Sequence, residues 1–198
     1  MPQLPFSQAC ENNKGHILLQ LQRLLAQREQ VLEIGSGTGQ HATWFAAHLP
    51  HLRWQPTDMQ ENLGVLRPRC NEYQGENLLP PLALDVRARP WPIPVLADTL
   101  FTANSLHIMP WGAVEELFAE LAARAAPETL LVYGPFNYAG RYTSESNARF
   151  DQWLAEQSAH SAIRDFEQVD ALARAAGFQL REDNAMPANN RLLVWGRD

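Results

Sequence analysis

The sequence predicts an α/β fold: a mostly parallel sheet with helices on both faces, finished by an antiparallel C-terminal hairpin. Three observations predict it. Strand-like and helix-like segments alternate along the chain, the pattern that builds parallel sheets from strand–helix–strand units. A glycine-rich turn, Gly35-Ser36-Gly37-Thr38-Gly39, joins the first apolar strand to a helix. Two strand-like runs at the C-terminus are joined through Met186-Pro187-Ala188-Asn189-Asn190, and a terminal pair joined this closely reads as a hairpin.

The elements follow in order. Asn13 to Gln27 sets Ile17, Leu18, Leu21, Leu24 and Leu25 on one helical face. Val31 to Ile34 reads as a short buried strand, and Gln40 to His48 as a helix that turns Phe45 and Leu49 inward. Leu52 to Gln55 gives a second strand, stopped by Pro56, and Asn62 to Tyr73 a helix that Pro68 should kink or shorten. Leu82 to Leu84 is a third strand, and Arg89-Pro90-Trp91-Pro92-Ile93-Pro94, with three prolines, a loop. Thr99 to Ala103 forms a fourth strand, Ala113 to Ala125 a helix, and Thr129 to Tyr133 a fifth strand. The long connection from Gly134 to about Ser146 is of the length that carries lids or binding segments in compact domains. Helices are expected over 147–157 and 166–176, the second closed by Gly177, and strands over 179–181 and 192–196. Trp54, Trp91, Trp153 and Trp195 are expected in the core or at its edges.

Composition bounds the function. A chain of 198 residues, 45% hydrophobic and 19% charged, suits one globular domain spanning 1–198. Apolar runs such as Leu130-Leu131-Val132 fall far short of the roughly 20 residues that span a bilayer, so no membrane association is expected. Met1-Pro2-Gln3-Leu4-Pro5-Phe6 shows no secretion signal, and Cys10 and Cys70 show no metal-ligand spacing; a reducing cytoplasm is the expected compartment. The net charge is -6 and the arginines are scattered, which disfavours a nucleic-acid partner and favours a small-molecule substrate. His16, His48, His51 and His160 have no partner spacing, so no metal site is expected. Nothing in the sequence fixes an oligomeric state.

The sharpest motif is Val31-Leu32-Glu33-Ile34-Gly35-Ser36-Gly37-Thr38-Gly39. Glycines between a strand and a helix allow a tight turn and the close approach of a ligand. A dinucleotide site usually reads GxGxxG with a helix N-terminus facing the pyrophosphate. Here the third glycine comes one residue early, and Glu33 stands two positions before the first. A carboxylate there repels a pyrophosphate and suits a ligand with an ammonium group and a sulfonium. Dinucleotide binding and a merely structural turn remain the alternatives. Asp58 ends the second strand, 19 residues beyond Gly39, where a carboxylate can accept from ribose hydroxyls; Asp85 ends the third, where it and the next backbone N–H can read an adenine edge. Either aspartate alone also reads as a helix cap or loop residue.

Further segments carry a resemblance. Asn12-Asn13-Lys14, the glycine motif running on to Gln40-His41, Trp54-Gln55-Pro56-Thr57-Asp58, Pro80-Pro81-Leu82-Ala83-Leu84-Asp85-Val86, Asn104-Ser105-Leu106-His107-Ile108-Met109-Pro110-Trp111, Tyr133-Gly134-Pro135-Phe136, Ser146-Asn147-Ala148-Arg149-Phe150-Asp151, Ile163-Arg164-Asp165 and Met186-Pro187-Ala188-Asn189-Asn190 resemble the DUF938 family of class I methyltransferase-like proteins. The resemblance runs in order from about Asn12 to the end. It implies a Rossmann-like class I methyltransferase fold with a seven-stranded sheet, and S-adenosyl-L-methionine as cofactor with S-adenosyl-L-homocysteine as product. It names no acceptor. The chain departs at Asn12, where the pattern has arginine; Asn13 matches. The implied cofactor set is Asn13, Glu33, Gly35, Ser36, Gly37, Gly39, His41, Asp58, Asp85, Val86 and Asn104, with His41 read as cofactor-adjacent or exposed.

The acceptor is expected beyond the fourth and fifth strands. His107 is the candidate general base, since an unperturbed imidazole takes a proton near neutrality; the alternative is a structural histidine hydrogen-bonded beside Trp111. Tyr133, Phe136, Asn137 and Tyr138 are candidate walls, with Arg141 and Tyr142 as polar contacts on the same loop. Asn147 and Asp151 share a helix face, as pocket residues or caps. Arg164 is a candidate for an acidic substrate, or one half of a local pair with Asp165. The expected activity is methyl transfer to a small molecule. The alternative is a noncatalytic module that binds the cofactor or a partner, and NAD-linked redox chemistry is disfavoured by the glycine spacing.

Overall fold

The computed structural model describes residues 4–93 and 97–197, so Met1-Pro2-Gln3 of the N-terminal reading and Pro94 of the proline-rich loop lie outside the described residues. The chain divides into two compact units, residues 1–85 with 91–101, and residues 86–90 with 102–198.

The first unit opens with α1 (Gln8–Leu24), five residues earlier than the hydrophobic pattern suggests, because Ser7 caps it by accepting from the Cys10 N–H at 3.3 Å. It buries Asn13, Ile17, Leu18 and Leu21. Then come β1 (Gln30–Ile34), α2 (Gln40–His48), β2 (Arg53–Asp58), a 3₁₀ turn at Gln60–Asn62, α3 (Leu63–Glu72) and β3 (Leu82–Ala83). β4 (Thr99–Ala103) begins in this unit and ends in the other, and the strand order here is β3-β2-β1-β4. β1 pairs parallel with β2 and β2 parallel with β3. Phe45, Trp54 and Phe101, each fully buried, meet with ring centroids 5.4 to 5.7 Å apart.

Two prolines correct the expectations. β2 does not stop at Pro56 but runs on to Asp58. Trp54 bonds Asn77 O and Leu79 N–H on the β3 side, and Thr57 bonds Ser36 N–H on the other. Pro56, two residues after Trp54, therefore aims its missing N–H toward β3, which begins only at Leu82, and no bond to β1 is lost. Likewise α3 continues past Pro68 to Glu72.

The second unit holds α4 (Trp111–Ala122), β5 (Thr129–Asn137), α5 (Glu145–Gln157), β6 (Arg164–Asp165), α6 (Phe166–Ala175), β7 (Gln179–Met186) and β8 (Asn190–Gly196). The order is β4-β5-β8-β7, with the two-residue β6 parallel on β5, an eighth strand beyond the seven expected. β7 and β8 form the antiparallel hairpin, and β8 lies antiparallel on β5. Both hairpin strands are longer than expected.

β5 is also longer, and that shortens the long loop to residues 138–144. Tyr133 O accepts from Asn104 N–H at 2.8 Å, so odd-numbered residues of β5 face β4. Pro135 aims its missing N–H to that side, beyond the end of β4 at Ala103 and before β6 joins at Phe136. The strand thus tolerates it. After Asn137 the chain reverses in a tight turn: Tyr138 and Arg141 exchange backbone bonds of 3.1 and 3.0 Å across Ala139 and Gly140, both at positive φ (49° and 69°). β1 and β5 are buried along almost their whole length, as strands covered on both faces are.

Candidate functional site

In the first unit the glycine turn is built from three left-handed glycines, Gly35, Gly37 and Gly39 (φ 72°, 56° and 76°), alternating with Ser36 and Thr38. Their roles differ. A Cβ on Gly39 would stand 3.1 Å from Leu66 Cδ1, so this glycine lets α2 and α3 pack closely. A Cβ on Gly37 would meet nothing within 4 Å; that residue is exposed and leaves its backbone open to a ligand.

Two acids hold this turn. Glu33, at 1% exposure, accepts on Oε2 from Ser36 Oγ and Trp54 Nε1, both at 2.9 Å. Burial pushes its carboxyl up from 4.5 to about 7, against the pull of those two donors and with a small upward push from Asp58. Asp58 accepts from the Gly37 N–H (2.7 Å) on Oδ2, and from the Met59 N–H (2.8 Å) and Asn62 Nδ2 (2.7 Å) on Oδ1. Three of its roughly four acceptor positions are therefore in use. Leu84 N–H donates to Asp58 O at 2.8 Å, which brings Asp85, the next residue, to the same edge.

Asn13 and His41 join each other: Asn13 Oδ1 and His41 Nε2 are 2.7 Å apart. His41 is buried, not exposed, stacks on Phe45 at 5.2 Å and is pushed down to about 4 by burial and by Lys14. The sequence reading missed Trp54 as the donor to Glu33, and it missed Gln40 and Arg69, which grip Thr38. Gln40 could have been suspected from its place as the first helical residue after Gly39. Arg69, 31 residues from Thr38, gave no local sign.

In the second unit, Val86 is buried in the turn that follows Asp85. Asn104 follows β4 in a left-handed conformation (φ 57°), which asparagine tolerates better than most residues with a side chain. His107 is buried and packs edge-on against Phe150 at 5.5 Å; a Cβ on Gly134 would lie 3.6 Å from its Nδ1. Burial, with Arg164 adding and Asp151 opposing, pushes His107 down to about 4. An imidazole so depressed is neutral at pH 7 and a weak base, unlike the unperturbed group the sequence suggested. Trp111 Nε1 donates to Glu115 Oε1 at 3.0 Å, and the Arg164 guanidinium lies 5.8 Å over its ring.

Arg164 forms no pair with Asp165. It donates to three carbonyls, Leu106 O (3.0 Å), Met109 O (2.6 Å) and His160 O (2.9 Å), and so clamps the turn that carries His107. The Asn147 N–H donates to Ser144 Oγ, and its Nδ2 to Thr143 Oγ1 and Asn189 O. Tyr133 and Phe136 are buried in β5. The Tyr138 hydroxyl donates to Asp183 at 2.7 Å while its ring stacks on Phe166, and Tyr142 donates to Asp151 at 2.7 Å. The Asn137 side-chain oxygen, Oδ1, is buried without a hydrogen-bond partner among the described residues. Among those residues no helix is long and apolar enough to cross a membrane, and no group of three metal-ligating side chains is present.

Several solved structures of similar architecture are methyltransferases. The chain is similar to the apo form of the S-adenosylmethionine-dependent methyltransferase SibL (22% identity, TM-score 0.77, covering 96% of this chain and 55% of that one). It is similar to human N-acetylserotonin methyltransferase in complex with SAM (16%, 0.78, 96% and 52%). A putative O-methyltransferase from Nostoc punctiforme matches as well (17%, 0.79, 95% and 56%). The chain spans about half the length of these proteins, and the likeness shows a Rossmann-like class I methyltransferase fold. The model of one family, described as "Protein of unknown function (DUF938)", matches residues 4–197, and the chain belongs to that family.

Proposed function

We propose that the protein is an S-adenosyl-L-methionine-dependent methyltransferase acting on a small-molecule acceptor and releasing S-adenosyl-L-homocysteine. One observation carries this reading: a three-glycine turn, open at Gly37, with acids at or next to successive strand ends, Glu33 one residue before the end of β1, Asp58 at the end of β2 and Asp85 two residues past β3. The residues fit the group. The exposed Gly37 backbone leaves room for it, and the acceptors suit an ammonium, ribose hydroxyls and an adenine amino group. In this reading Glu33 attracts the amino-acid end, Asp58 takes a ribose hydroxyl, Asp85 and the Val86 N–H read the base, and Asn13, Ser36 and His41 hold the turn. Asn104 presents its left-handed backbone.

Bound there, the cofactor supplies an electrophilic methyl on a sulfonium. The chain's part is to hold the acceptor in line, which by itself supplies much of the acceleration. His107, neutral at pH 7, accepts a hydrogen bond from the acceptor and orients it; its weak basicity suits a phenol, thiol or other readily ionised acceptor. Tyr133, Phe136, Asn137 and Tyr138 are the proposed acceptor surroundings. Arg164 and Asn147 serve by fixing the neighbouring backbone.

Calorimetric titration with S-adenosylhomocysteine, with NAD in parallel, tests the cofactor. Micromolar binding of the first and none of the second supports the reading; the reverse sinks it. The weak base at His107 also favours a second reading, a cofactor-binding module without turnover. Transfer of labelled methyl groups into a fractionated metabolite extract separates the two.

A further inference from the structure

The segment before α1 is tied to the middle of the glycine turn by two side chains that each grip both. Gln40, 6% exposed, accepts on Oε1 from Thr38 Oγ1 at 3.1 Å and from the Ser7 N–H, and its Nε2 donates to Ser7 O at 3.3 Å. Arg69 donates through Nε to Thr38 O at 3.0 Å and through Nη2 to Pro5 O at 2.6 Å. Thr38 is thus held by its hydroxyl and its carbonyl, and each holder has its other hand on the strap of residues 4–7. Ser7 caps α1, and α1 carries Asn13 to His41, the residue after Gln40. Strap, helix start and turn form one hydrogen-bonded unit drawn from three distant stretches of sequence.

We propose that Gln40 and Arg69 are positioning residues which make the strap a latch for the glycine turn, so that cofactor retention is set from outside the residues that touch the cofactor. The inference rests on the cofactor reading above. The argument is geometric. Gly35, Gly37 and Gly39 give the turn many accessible conformations in isolation, and a ligand that must select one forfeits affinity in proportion. The bonds to Thr38 remove that freedom in advance. They can do so only while Pro5 and Ser7 hold the far ends of the same side chains, because an untethered Gln or Arg has ample rotamer freedom of its own. The latch therefore acts chiefly on how long the cofactor stays, since release requires the turn to loosen.

Hydrogen exchange and S-adenosylhomocysteine dissociation, measured on the full chain and on Gln40→Leu, Arg69→Met and the double variant, test this. One arm needs no cofactor: each substitution should speed exchange at Ser7 and at Gly39 together, since the two side chains tie strap and turn to each other. The Ser7 N–H donates to Gln40 Oε1, and the Gly39 N–H donates to Ser36 O beside the gripped Thr38. In the other arm, dissociation should quicken roughly tenfold in each single variant, as expected for the loss of one or two hydrogen bonds. The double variant should be little faster than either, because one latch is opened by either route. Saturating S-adenosylhomocysteine should slow exchange at Ser7 in the wild type and not in the variants, which a merely structural role would not produce. Arg69→Lys, whose donors radiate from one atom on a flexible stem and do not lie along the fixed fork of a guanidinium, should not restore the slow rate. Independent exchange at Ser7 and Gly39, or unchanged dissociation in the variants, overturns the latch. Absence of binding to the wild type, with coupled exchange intact, overturns the cofactor reading and leaves the latch standing.

Discussion

Glu33→Gln separates what the buried acid costs from what it is for. The substitution keeps the shape and one acceptor oxygen for Ser36 Oγ and Trp54 Nε1. It removes a charge whose burial raises the carboxyl from 4.5 to about 7. At about 1.4 kcal/mol per pH unit, that displacement makes the ionised form about 3 kcal/mol less favourable in the folded chain than in the unfolded one. Below pH 4.5 the group is protonated in both states and its contribution is intact. Between pH 4.5 and about 7 only the unfolded chain ionises, so wild-type stability declines; above 7 it stays low. The glutamine variant lacks this decline. It should match the wild type near pH 4.5 and exceed it at pH 8 by up to about 3 kcal/mol, less whatever the new amide N–H costs if left unpaired. In thermal melts that is a rise of roughly 5–10 °C.

Cofactor binding should move the other way. The ammonium group of the ligand's amino-acid end stabilises the ionised carboxylate, so wild-type affinity for S-adenosylhomocysteine should strengthen as pH rises through 7, by about tenfold between pH 6 and 8. The variant should bind weakly at both and show no such slope. Melts and calorimetry at pH 5, 6, 7 and 8 read both effects. A variant that keeps the wild-type pH slopes, or is less stable at pH 8 and binds equally well, would refute the assignment of the buried charge to ligand recognition.

Other outcomes rest on single contacts. Gly37→Ala places a Cβ in open space at φ 56°, so it should cost only about 1–2 kcal/mol of stability while sharply weakening S-adenosylhomocysteine binding by calorimetry. Gly39→Ala adds a 3.1 Å approach to Leu66 to the same strain and should destabilise more in denaturant melts. His107 should show no titration between pH 5.5 and 7.5 by NMR; because its pKa is lower folded than unfolded, its contribution to stability is present above pH 6.5 and lost as pH falls toward 4, and His107→Ala should abolish that slope. Arg164→Met releases three carbonyls and should cost about 1–3 kcal/mol, with faster exchange over residues 105–109.

Local chemistry made part of this fold legible. The helix over 40–48 and the strand over 99–103 stand where the pattern puts them, because a glycine turn and an apolar run mark their ends within the sequence itself. Errors arose where the decisive fact is tertiary. A proline ends a strand only if its missing N–H faces a partner, and at Pro56 and Pro135 it faces a gap; no sequence window contains that information. The loop expected over 134–146 shrank to residues 138–144 for the same reason. The earlier start of α1 is a different failure, since Ser7 was visible as a cap and the exposed polar turn behind it carried no apolar signal.

The candidate site was legible as a set of residue types but not as a set of tasks, and Asp58 is the clearest case. Read from sequence it is a carboxylate awaiting a ribose; in the structure it already receives the Gly37 N–H, the Met59 N–H and Asn62 Nδ2. A carboxylate can accept all three, whereas the amide of Asp58→Asn has one oxygen and must point its NH₂ at a donor on one side or the other. That variant should therefore lose about 1–3 kcal/mol of stability with no ligand present, measurable in denaturant melts. Weak S-adenosylhomocysteine binding by Asp58→Asn would then report a disordered turn as readily as a lost ribose contact. The two separate by comparing S-adenosylhomocysteine with its 2′-deoxy analogue. If Asp58 takes a ribose hydroxyl, the wild type should discriminate between them and the variant should not. Equal discrimination by both proteins would confine Asp58 to holding the turn.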